Sequence, residues 1–166
     1  MSRSRSSANS RGLARRLNDA ARVDSLTNMP NRAAVREQLQ QVLARAAAQT
    51  DYVFAVLFMN CDRFKQINDT LGPLAGDQVL SQMAERLRAT LRQRDRVGRA
   101  DTNTPMAARI GGDEFVVVLD DLRHTDDSYV VAERVLSVLA KPYVLEGHQI
   151  HCSVSMGLVP CGPGRW

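Results

Sequence analysis

Residues 108–119 read ARIGGDEFVVVL. Two glycines are followed by two acids, Asp113 and Glu114, and then by an unbroken apolar run from Phe115 to Leu119. A short β-branched run bounded by turn residues is a strand signal. Gly111-Gly112 between two such runs predicts a β-hairpin turn. Glycine there permits positive φ and leaves bare backbone against which a ligand can lie closely. The two acids have two readings. They are solvated ends of an ordinary hairpin, or they are charges kept at a sheet edge for chemistry.

Outward from this hairpin, the same signals order the rest of the chain. YVFAVLFM (52–59) predicts a buried strand that runs into a polar turn and short helix, NCDRFKQINDTLG. DQVLSQMAERLRATL (77–91) places Val79, Leu80, Met83, Leu87 and Leu91 on one helical face. Before the strand, DSLTNMPNR (24–32) reads as a loop, and Asn31 can cap a helix carrying Val35, Leu39, Val42, Leu43 and Ala46. After the hairpin, Asp126 and Asp127 open a helix with Val131, Val135, Leu136 and Leu139 inward. PYVLEGHQIHCSVSMGLV (142–159) predicts two strands turning at Glu146-Gly147. This order predicts an α+β domain, a central, mainly antiparallel sheet flanked by helices.

The 166 residues suit one domain, and 44% apolar with 24% charged residues is an ordinary globular balance. Of the net +4, residues 1–23 carry +5, from six arginines against Asp19, so the remainder carries −1. Residues 1–10 read as disordered, and a linker helix is plausible from Arg11 to Val23, with Leu13 and Leu17 on one side. Nucleic-acid or anionic-membrane contact and a simple solvated arm both fit this basic tail. The absence of aromatics and of a zinc motif argues against nucleic acid. Three cysteines, Cys61, Cys152 and Cys161, form no disulfide framework. No apolar run is long enough to span a membrane, no signal peptide is evident, and a reducing cytoplasm is the expected compartment.

If strand 52–59 and the hairpin are neighbours, Asp62, Asp113 and Glu114 gather at one sheet edge. One or two carboxylates, completed by phosphate oxygens, are how proteins hold Mg²⁺. The turn after the strand offers backbone N–H groups to phosphates, and Lys65 adds a point charge. Asn68 and Asp77 lie across DTLGPLAG. A carboxylate accepts both N1–H and N2–H of guanine, a donor pair adenine lacks. Asp77 can equally be a helix N-cap. His148, His151 and Cys152 raise a metal question, but on a strand His151 points away from the other two. Cys61 has no histidine nearby to make it a nucleophile.

DSLTNMPNR (24–32), DRFKQINDTLGPLAGD (62–77) and RIGGDEF (109–115) together resemble the GGDEF family. Its members are diguanylate cyclases, which condense two GTP into cyclic di-GMP and release two pyrophosphates. SVSMGLV (153–159) resembles a late strand of that fold. The resemblance covers residues 24–160, between the basic tail with its linker helix (1–23) and a short tail (161–166), and implies a fold like the palm of nucleotidyl cyclases. It implies a metal, Mg²⁺ or Mn²⁺, at Asp113, at position 60 and at the Cys61 carbonyl, with Glu114 in the catalytic centre near the attacking 3′-hydroxyl. It implies guanine contacts at Asn68 and Asp77, and a phosphate-binding turn at Phe64 and Lys65. Gly111 and Gly112 would lie against substrate, with Lys65 also steadying charge in the transition state. Two GTP-loaded protomers must face each other, so a homodimer is implied.

The chain departs from the family pattern in several places. Asn60 stands where the family has a metal-binding carboxylate, which weakens the expected metal site, and Asp62 does not obviously replace it. Pro73 replaces a frequent histidine. The family continues past the position of Trp166 with a helix and strand bearing a lysine and an arginine, so the domain is expected to be incomplete at its C-terminus. Arg92-Gln93-Arg94-Asp95 fits the family's RxxD inhibitory site for cyclic di-GMP, but GRADTNTPMAA separates it from the glycines. A basic helix end explains Arg92 and Asp95 as well. Three readings follow. One is a cyclase weakened by Asn60 and truncation. Another is a degenerate GTP-binding regulatory module attached to a cyclic di-GMP phosphodiesterase domain. The last is a cyclic di-GMP-binding module.

Overall fold

Apolar strand β1 (Phe54–Cys61) pairs antiparallel on both sides, with β3 (Glu114–Leu119) and with β6 (Val154–Cys161). β2 (Met106–Gly111) adds to β3, so the sheet order is β2-β3-β1-β6. The computed structural model describes residues 10–14, 16–17, 21–92 and 105–163. Asp95, the intervening segment 98–104 and the extreme N-terminal tail lie outside the described residues.

Alternation along β1 splits the core in two. Ala55, Leu57, Met59 and Cys61 join Phe115, Val117 and Leu119 beneath two helices, α3 (Pro73–Arg92) and α4 (Asp127–Leu139). Val56, Val116 and Val118 face the other way, toward Val35, Val42 and Ala46 of α1 (Arg32–Ala48). The short α2 (Phe64–Leu71) follows β1 directly. This is the α+β architecture expected from the sequence.

Local chemistry accounts for the element ends. Asn31 caps α1, its Oδ1 accepting from the Ala34 N–H at 3.2 Å. Gly72, at φ 90°, ends α2, and Pro73 occupies the first turn of α3, where its missing N–H and fixed φ cost nothing. α3 therefore starts four residues before the predicted 77, and Asp77 lies within it rather than at its N-cap. Arg86 of α3 donates to the Val138, Lys141 and Pro142 carbonyls and stacks 3.9 Å over the Tyr143 ring, which joins α3 to the end of α4.

Other differences concern register. Gly111 pairs with Glu114, so the two-residue turn is Gly112-Asp113, one residue later than predicted, after an irregularity between Arg109 and Gly111. The segment 142–159 holds three strands. Glu146 and Gly147, at φ 49° and 80°, turn β4 (Tyr143–Leu145) into β5 (His148–Ile150) as a separate two-stranded sheet, while β6 joins the central one. Leu43 is 50% exposed, and Leu136 is only partly buried, because Ala34 and Ala132 take places on the inner faces of α1 and α4.

The two leucines differ in kind, and stability measurements should separate them. Leu57→Ala, at the centre of β1, should cost about 2–5 kcal/mol in urea unfolding. Leu43→Ala should stay within about 0.5 kcal/mol.

Candidate functional site

The hydrogen-bond register sets the polar end of β1. Asn60 lies opposite Glu114 on one side and Ser155 on the other. By alternation these three share the α1 face, beyond the part of it that α1 covers. Asn60, Glu114, Ser155 and Phe58 are all exposed there and line a cavity of about 450 Å³ together with Ile110 and Gly157. Cys61 turns its side chain to the opposite face. Its thiol is pushed up by contact with the Cys152 thiol, by burial, and by the carboxylates of Asp113 and Asp62. The Asn60–Glu114 register pair puts the tip of the hairpin beside the end of β1.

Asp62 does not join a three-acid cluster. Its carboxylate accepts hydrogen bonds from Ser153 Oγ at 2.7 Å and Ser155 Oγ at 2.5 Å, which hold it below the usual carboxylate range. Its N–H also donates to the Ser153 carbonyl. Among the described residues, no three His, Cys, Asp or Glu side chains converge on a metal position. That statement covers His148, His151 and Cys152 as well, and Cys152 is buried.

The turn after β1 is made by Arg63 in the left-handed conformation, φ 56°, with no side-chain cap on the start of α2. Phe64 is partly buried and Lys65 exposed at this open helix end. Farther along α2, Asn68 packs onto α3. A Cβ at Gly76 would lie 1.8 Å from Asn68 Oδ1, so only glycine admits this approach. That oxygen is buried and, among the described residues, has no hydrogen-bond partner. An unsatisfied buried acceptor costs about 1–3 kcal/mol, and a ligand N–H would satisfy it. Asp77 is exposed on α3, one residue past Gly76. Arg92 is the exposed last residue of α3.

Sequence reasoning treated 24–32 as a loop, and missed that it holds the hairpin. Asp24 accepts from the Thr27 N–H at 3.0 Å and Thr27 Oγ1 at 2.7 Å. The Pro30 carbonyl accepts from the Arg109 N–H, and Arg88 of α3 donates to the Thr27 carbonyl. Arg109 then bridges the parts. Its Nη1 pairs with Asp24 at 2.9 Å, and its Nε donates to the Gly112 carbonyl at 2.8 Å. The Asp-x-x-Thr spacing is a local turn signal. The partner 85 residues away is invisible to it. Burial alone would push the Asp24 carboxyl up, but the bonds from Thr27 and Arg109 outweigh it and hold it below its ordinary value.

The chain matches the family model described as diguanylate cyclase, GGDEF domain, over residues 21–164. It is 37% identical over 144 residues to the bifunctional diguanylate cyclase/cyclic di-GMP phosphodiesterase MucR of Pseudomonas aeruginosa, covering 87% of this chain and 19% of that protein. It is 39% identical to the diguanylate cyclase TpbB of the same species, covering 83% of this chain and 29% of TpbB. The chain thus spans less than a third of either relative. The structure of an N-terminally shortened P. aeruginosa TpbB (YfiN) comprising only the GGDEF domain superposes with a TM-score of 0.72 at 37% identity, over 83% of this chain and 74% of that one.

The Asp24–Arg109 pair should be visible in acid. A carboxyl depressed in the folded chain contributes stability that is present above its ordinary pKa and lost as pH falls through the depressed one. Asp24→Asn should lower stability by about 1–3 kcal/mol at pH 7. In urea titrations the gap to wild type should close as pH drops below about 4.

Proposed function

This chain belongs to the diguanylate cyclase GGDEF-domain family, and from that premise we propose that it binds GTP at the end of β1 and condenses two GTP into cyclic di-GMP, at a rate limited by Asn60. The observation that carries the reading is the register pair Asn60–Glu114, which puts the hairpin acids beside the strand end and its phosphate-binding turn. In this reading Asn68 and Asp77 recognise guanine. The orphaned Asn68 oxygen takes a ring or amino N–H, and Asp77 accepts the N1–H and N2–H pair. The start of α2 at Phe64 and Lys65 receives phosphate oxygens, and the open glycine backbone of the hairpin lets the nucleotide approach.

The donors fit a divalent ion shared with substrate, not one caged by protein. The Asp113 carboxylate, the Asn60 amide oxygen and the Cys61 carbonyl are hard oxygens carrying a single formal charge, and Mg²⁺ is commonly held by one or two carboxylates plus phosphates. Mg²⁺ or Mn²⁺ held there would polarise the α-phosphate and favour attack by a 3′-hydroxyl. Glu114, exposed beside Asn60, is positioned to take the hydroxyl proton. Each protomer holds one GTP, so catalysis needs a homodimer with its two sites face to face.

The amide at position 60 favours a second reading. Without that charge, the domain is a GTP- or cyclic di-GMP-binding regulatory module of a longer protein, of the kind MucR exemplifies by carrying a phosphodiesterase activity.

Incubation with GTP and millimolar Mg²⁺ or Mn²⁺, with chromatography of the dinucleotide, separates the two. Under the cyclase reading product accumulates, Glu114→Ala abolishes it, and Asn60→Asp raises the rate at least about tenfold, or ~1.4 kcal/mol of barrier. GTP binding without product in both wild type and Asn60→Asp would leave the regulatory reading. Equal affinity for GTP and ATP, unaltered by Asp77→Asn, would remove the guanine assignment.

A further inference from the structure

Two of the three cysteines meet in the core beside the nucleotide turn. Cys61 pairs with Val154 across the β1–β6 ladder, and the Asp62 N–H to Ser153 carbonyl bond of 2.9 Å carries the alignment one step beyond β6. Cys152 therefore sits diagonally across from Cys61, on the same face of the sheet. Both side chains belong to the core packed under α3 and α4. Cys161 is excluded from this pairing. It lies opposite Phe54 at the far end of the same strands, seven residues along β6 from Val154, about 23 Å at ~3.3 Å per residue.

Cys152 is the shallower of the two, 8% exposed against 2% for Cys61. It forms part of the wall of a cavity of about 930 Å³, with Asp62, Arg63, His151, Ser153 and Ser155 around it. Cys61 is sealed behind it, 2% exposed. A cysteine at a cavity wall, with a second and more deeply buried one diagonal to it on the same sheet face, is the arrangement of an attacked and a resolving cysteine.

We propose that Cys61 and Cys152 form a site of reversible oxidation, closed to a disulfide by hydrogen peroxide and reopened by a dithiol. The Cys152 sulfur attacks one peroxide oxygen, the O–O bond breaks, and water leaves behind a sulfenic acid. The Cys61 sulfur then attacks the sulfenic sulfur, the S–O bond breaks, and a second water leaves. The peroxide gains two electrons and the thiol pair loses two.

Diagonal strand partners have Cα atoms about 7–8 Å apart, wider than a relaxed disulfide spans. Closure must draw residues 151–153 toward β1. These residues precede β6 and belong to no strand, so the movement falls on them rather than on the β1–β6 ladder. A bridge that requires such movement is of the strained, easily reduced kind. The shift falls on Ser153 and its neighbour Ser155, which hold the Asp62 carboxylate next to Arg63 and α2. Weakened GTP binding on oxidation follows, a consequence that rests on the function proposed above. The disulfide itself does not rest on it.

The test treats the full chain with a slight excess of hydrogen peroxide, alkylates free thiols, digests and maps peptides by mass, with GTP affinity measured in parallel. A peptide linking Cys61 to Cys152, lighter by two hydrogens and absent after dithiothreitol, is expected, with Cys161 alkylated. GTP affinity should fall at least threefold on oxidation and recover on reduction. Cys161→Ser should keep the response and Cys152→Ser should lose it. The wild-type peptide map decides the matter even if Cys152→Ser does not fold. Peroxide products confined to Cys161, or intermolecular bridges alone, would overturn the proposal. The linked peptide with unchanged GTP affinity would retain the redox site and reject its coupling to the nucleotide turn.

Discussion

The double pairing of β1 is the constraint on which the rest depends. Hydrogen bonds to β3 and β6 on either side fix its register against both at once, and side-chain alternation admits no slip. A one-residue shift would turn Leu57 and Met59 out of the core and Asn60 into it. Because the apolar residues fill both faces up to Met59, the strand's polar end is forced to emerge beside the hairpin tip and the start of β6. Core packing thereby positions a site made of residues that contribute little to the core themselves.

The hairpin needs its own support, because a two-residue turn with glycine beside it is free to flex. Arg109 supplies it by pairing with Asp24 while binding the Gly112 carbonyl. Both members of the pair are largely removed from solvent, with side chains 15% and 17% exposed, so the interaction is less screened than a surface ion pair. The 24–32 turn in turn rests on α3 through Arg88 and on β2 through Pro30. The 24–32 turn is thus mechanically continuous with the acids of the hairpin.

Around this frame, the polar groups divide by how well they are satisfied. Asp62 accepts from two serines, whereas Asn68 Oδ1, among the described residues, is held without a partner against a glycine. Strain or lost hydrogen bonding that persists in a folded chain is characteristic of binding sites, where the missing partner is a ligand. Asn60 has the opposite character. It is exposed and neutral, at the polar end of β1 opposite Glu114 and Ser155. The family fold is retained around it.

Much of this was legible in the amino-acid sequence. Apolar periodicity revealed β1, the inner face of α3, the Asn31 cap and the α+β class, because burial and capping act within one element and leave a local pattern. The motifs around Asp113, Asn68 and Asp77 revealed the family for the same reason, since each motif is short and contiguous. Only the tertiary structure decided which of those elements touch. The turn at Gly112-Asp113 and the separate β4–β5 sheet depend on register, which a single strand does not encode. The Arg109–Asp24 clasp, the capture of Asp62 by Ser153 and Ser155, and the meeting of Cys61 with Cys152 join residues about 85 to 93 positions apart. Contacts at that separation are set by sheet order and chain reversal, which exist only once the whole core has closed.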